Sequence, residues 1–155
     1  MDKRRAYNEE SKKLLIVIDI AIESFQKYMP VGMNQSQIDR IVSIHEEWKN
    51  EIINTSPESK NLKSLKYRIE DVFTYFIDGS GETVAYFWKK LEEENLNYKY
   101  ENKLKKILKR GTINNIHDYN HVIDMIVVSQ QLGLISSEDS KMLNKLLGEF
   151  ESRKK

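Results

Sequence analysis

LLIVIDIAI, residues 14–22, is the stretch on which the fold turns. It is rich in branched side chains, and such runs fit a pleated strand well. Its surroundings favour a helix instead. Leu14, Ile18, Ala21, Phe25 and Tyr28 recur at spacings of three and four, which places them on one helical face. Pro30 and Gly32 supply a stop, and no second segment offers itself as a partner strand. The reading is a first helix from Arg5 to Met29.

Outward from this segment the same period recurs. A second helix is predicted from after Asn34 to Asn54, with Ile38, Ile41, His45, Trp48 and Ile52 on one face. Ser56-Pro57 reads as a cap followed by proline in the first turn of a third helix. That helix carries Leu62, Leu65, Ile69, Val72, Phe73 and Phe76, and it stops at Asp78-Gly79. A fourth covers Glu82 to Glu94, with Val84, Phe87, Trp88 and Leu91 inward. A fifth is lined by Tyr100, Leu104, Ile107 and Leu108 and ends at Gly111, where a C-terminal glycine belongs. The sixth spans Ile116 to Leu132, and Gly133 follows it. The seventh spans Ser137 to Ser152, opened by a capping box of Ser136 and Asp139, with Met142, Leu143, Leu146, Leu147 and Phe150 inward. The expected fold is all-α: one compact single-domain bundle of six to seven helices over residues 1–155. Residues 1–6 and 152–155 are expected to fray.

Composition narrows the function classes. The 155 residues hold no cysteine, which excludes a disulfide scaffold, a thiol nucleophile and cysteine-ligated metals. Twenty-five Lys and Arg face 24 Asp and Glu, without the basic surplus usual in nucleic-acid binders. The N-terminal MDKRRAYNEESKK precedes a short apolar run that Asp19 interrupts, and no small-residue cleavage site follows. The run is far shorter than the roughly 20 residues that span a bilayer. A cytoplasmic protein that does not enter membranes is expected.

Four stretches invite a chemical reading. In NNIHDYNHVIDM, residues 114–125, His117, His121 and Asp124 fall at i, i+4 and i+7, a spacing that lets two imidazoles share one metal. A plainer account caps the helix with Asn115 and puts Asp118 at its third position, near the positive helix end. Ile116, Tyr119, Ile123, Ile126 and Gln130 then form the inward stripe, and both histidines face outward. His45 shares a stripe with Ile41, Trp48 and Ile52, so it is expected to be buried. Asp19 and Asp124, each set in an apolar run, are its candidate partners. The loop DGSGET, residues 78–83, has two glycines ahead of a helix but lacks a phosphate-loop lysine, and reads as a turn capped by Ser80. KYENKLKKILKR, residues 99–110, has six basic residues and one acid, a basic amphipath whose lysine stems can cover apolar surface.

Two further spacings, Arg40-IVSI-His45 and Arg110-GTINNI-His117, resemble the Arg-to-His pattern of helical HEPN-type ribonucleases. That resemblance implies an alternative class, a HEPN-like ribonuclease; beside it, the histidine spacing offers a metal-dependent hydrolase built on His45, His117 and His121. The leading expectation is a protein that works by binding another protein, as an adaptor, inhibitor or immunity-type partner. No cofactor and no assembled catalytic set are expected. A nucleic-acid module acting through residues 99–110 stands third.

Overall fold

The computed structural model describes residues 3–56, 58, 60–96 and 98–153. Among them there are seven helices and no strand. These are α1 (Lys3–Lys27), α2 (Gln35–Ile53), α3 (Leu62–Asp78), α4 (Glu82–Glu93), α5 (Lys103–Arg110), α6 (Ile116–Gln131) and α7 (Ser137–Arg153). The protein is all-α. No helix among the described residues is long and apolar enough to cross a membrane. The chain forms two compact units, Met1–Tyr75 and Phe76–Lys155, and the boundary falls inside α3.

In the first unit the 14–22 segment is helical, in the middle of α1. Leu14, Val17, Ile18, Ala21 and Phe25 are buried, and α1 packs along α2. Asn34 caps α2 by a full capping box: its side chain accepts from the Gln37 amide, and the Gln37 side chain accepts from the Asn34 amide, both at 2.9 Å. The third helix starts later than expected. Its first residue is Leu62, and the Asn61 side chain accepts from the Ser64 amide. Pro57, the anticipated start, lies outside the described residues. Trp48 is only half-buried, because one ring face meets the Arg68 guanidinium at 4.8 Å rather than apolar core.

In the second unit Phe76 stacks on Phe87 with centroids 3.7 Å apart and planes within 7°. The Trp88 indole meets Phe87 edge-on and donates to the Phe76 carbonyl at 2.9 Å, so a buried polar atom is satisfied. Here α6 packs against α4, α5 and α7. Several helix ends are closed as local chemistry requires. Gly111 takes a left-handed φ of 78° after α5. Gly133 takes φ 77° after α6, with the Leu134 and Gly133 amides donating back to the Ser129 and Gln130 carbonyls. Asn95 does the same after α4 at φ 53°, a conformation asparagine tolerates better than most residues. Ser136 and Asp139 form the predicted reciprocal cap of α7.

Other expectations are corrected. Tyr100 precedes α5 instead of lying in it, since Asn102 caps that helix. Met142 is exposed. Ser80 does not cap α4; Gly81 holds that position without a side-chain bond, and the Ser80 hydroxyl donates to Asp124 at 3.4 Å.

Candidate functional site

The three histidines lie in three different settings. His45 is buried in the first unit, as its stripe predicts. Its Nδ1 donates to the Ile41 carbonyl at 2.8 Å, one turn back on the same helix. The ring sits between Trp48, with centroids 4.7 Å apart, and Phe25, at 5.8 Å. Burial lowers its pKa more than the Ile41 bond and Glu46 raise it. The expected carboxylate partners do not serve it. Asp19 is exposed and holds Lys49 at 2.6 Å, which raises the lysine pKa. Asp124 accepts from Ser80. Arg40 is exposed while His45 is buried, so the first Arg-to-His spacing does not assemble an open pair.

The second unit holds a denser polar cluster, built by two helix ends. Gly111 terminates α5 and Asn115, accepting from the Asp118 amide at 2.8 Å, starts α6. This short turn brings Arg110 back onto Asp118. The guanidinium donates to the carboxylate at 2.8 Å, and Lys103 approaches its other oxygen at 3.7 Å. Asp118 is buried, so its charge is compensated by two cations. Sequence spacing hid this triad, because the useful pair is Arg110 with Asp118 and not Arg110 with His117, which is exposed.

His121 follows Asp118 by three residues on the same helix. It is 6% exposed, contrary to the outward placement expected from the apolar stripe. Its Nε2 has no hydrogen-bond partner. Its pKa is lowered to about 4, by burial first and then by Lys103, against the opposing pull of Asp118 and Asp124. The inward face of α6 consists of Asp118, His121, Val122, Met125, Ile126 and Ser129. Ile116 and Ile123, expected inward, are each 48% exposed, and Val127 is 63% exposed.

The structure does not bring His117, His121 and Asp124 together as a metal-binding set. Among the described residues no group of three His, Asp or Glu side chains is placed to hold a metal ion. Most cations of the basic stretch are held by carboxylates: Lys105 by Glu92 of α4, Lys109 by Glu101, and Lys103 and Arg110 by Asp118. Compared with known proteins, the chain matches no family model, no curated protein and no solved structure.

Proposed function

We propose that this protein acts by binding another protein through the outward face of α6. The observation that carries the reading is the line of Ile116, Ile123 and Val127. Spacings of seven and four put these three within a narrow band of the helix surface. All three are exposed although the opposite face of the same helix is already buried. A solvated helix face normally carries polar residues, and aligned apolar ones are suited to contact with a partner's apolar surface. Isolated exposed apolar residues are common, so alignment supports the reading more than exposure does.

A photo-crosslinking amino acid at position 123 tests this in lysate of the native host. The expected result is one discrete adduct that is absent when the crosslinker sits at Glu9 or when Val127→Asp is added. Equal labelling at both positions, or no adduct that Val127→Asp removes, sinks the reading.

A further inference from the structure

Both ends of α5 are held by one buried carboxylate. Lys103, the first residue of this helix, lies 3.7 Å from one oxygen of Asp118, and Arg110, the last, donates to the other at 2.8 Å. The helix has eight residues and buries Leu104 and Ile107. Isolated helices shorter than about 12–15 residues are marginal in water, so α5 keeps its form through what it docks on. The pair of Lys105 with Glu92 of α4 is partly solvated on both sides and adds little. Asp118 is therefore the polar hold on α5 that matters most.

His121 stands one turn along from Asp118 on α6. As a neutral imidazole it leaves that carboxylate to the cations of α5, and its buried Nε2 has no partner. A proton taken from solvent changes the balance twice. The ring then offers Asp118 a positive charge from within α6, and it repels Lys103. The carboxylate is compensated without α5, while the first turn of α5 is pushed away. The charged groups that act on the ring are Lys103 from α5 and Asp118 and Asp124 from α6. The buried residues of α4 and α7, which also pack against α6, carry no charge, and Tyr86 is the one titratable side chain among them. The docked ring takes its proton only near 4, whereas a solvated imidazole does so near 6.5. Between those values the undocked state binds more protons, so it gains on the docked one as pH falls through the window.

We propose that α5 is an acid-released strap: protonation of His121 frees Asp118 from Lys103 and Arg110, and α5 leaves α6 and uncovers Leu104 and Ile107 while α4, α6 and α7 stay folded. The device lies on the buried face of α6 and does not depend on partner binding at the outward face.

Amide hydrogen exchange of the full chain at pH 7.5 and 4.5, with and without low urea, tests the assignment once each rate is divided by the intrinsic rate at that pH. From the higher pH to the lower, the amides of residues 106–110 should lose at least about tenfold in protection. Their opening should respond little to urea, as a local event that exposes little surface does, whereas amides in α7 should respond steeply. His121→Leu should abolish the loss and keep α5 docked at both pH values. Lys103→Gln removes the cation that the imidazolium repels, which brings the docked ring nearer its ordinary titration and should shrink the loss. If His121→Leu fails to fold, Lys103→Gln decides. The proposal is overturned by a loss smaller than about tenfold, by a urea response in residues 106–110 equal to that of α7, or by a loss undiminished in the deciding variant.

Discussion

His45 and His121 are both buried in helices, yet their surroundings are built on opposite terms. His45 spends its Nδ1 proton on a carbonyl of its own helix and is flanked by Phe25 and Trp48. His121 lies one turn from a carboxylate that Arg110 and Lys103 already hold, and its Nε2 is left without a partner. The first arrangement is a locally satisfied polar group inside aromatic packing. The second is a charged cluster whose compensation comes from another helix and leaves one atom uncompensated. Satisfied networks rigidify a core, whereas an incomplete one costs stability.

The largest effect should separate the aromatic packing of the two units. Phe87 is fully buried between Phe76 and Trp88, so Phe87→Ala should cost roughly 3–5 kcal/mol in urea denaturation. Trp48 in the first unit shares its ring with the Arg68 guanidinium and is half-buried. Trp48→Ala should therefore cost clearly less, about 1–3 kcal/mol. Equal costs would mean that Trp48 is as deeply packed as Phe87 and would erase this difference between the units.

Acid should expose the imbalance at His121. In the unfolded chain an imidazole takes its proton near 6.5, whereas in the fold His121 does so only near 4. Between those values the unfolded state binds more protons, so stability falls as pH drops through this window and is fully present above it. The loss from this residue is on the order of 3 kcal/mol if the whole shift is realised. His45, lowered in the same direction, adds a contribution of the same sign. Urea melts at pH 7.5 and 4.5 check this: His121→Leu should remove most of the difference between them. A difference that persists undiminished in His121→Leu would put the acid sensitivity elsewhere.

Several helix ends were legible in the sequence because capping is local, although the starts of α3 and α5 and the cap of α4 were misplaced. Asn115, Gly111, Gly133 and the Ser136–Asp139 pair act within a few residues of where they stand. The orientation of α6 was not legible, because the helix is apolar on both sides. Val122, Met125 and Ile126 line one side, and Ile116, Ile123 and Val127 the other. Periodicity cannot choose between two such faces. The buried face also carries Asp118, whose cation partners lie on α5, and that information is tertiary. The same limit explains His45: its burial followed from its stripe, but a bond to its own helix carbonyl leaves no mark in residue types.

A smaller effect tests the satisfied histidine. His45→Gln keeps a polar side chain but disturbs both the Ile41 bond and the ring contacts. A cost of about 1–3 kcal/mol is expected at neutral pH. A fully stable His45→Gln protein with altered function would turn this residue from a packing element into a functional one.

The smallest effect is expected where intuition about buried histidines would place a large one. At neutral pH His121→Leu replaces an uncharged imidazole with an apolar group of comparable bulk. The lost Nε2 has no partner to leave behind, so no hydrogen bond is broken at that atom. Asp118 keeps both of its cations, because Arg110 and Lys103 bind the carboxylate and not the ring. Removing a buried, unsatisfied polar atom returns part of its desolvation cost, while the change of shape takes some of that back. The net change should lie within about 1 kcal/mol of zero, with a gain as acceptable as a small loss. A loss above about 2 kcal/mol at pH 7.5 would show that the ring makes an interaction of real value. His121 would then belong with His45, and the contrast between the two histidines would collapse.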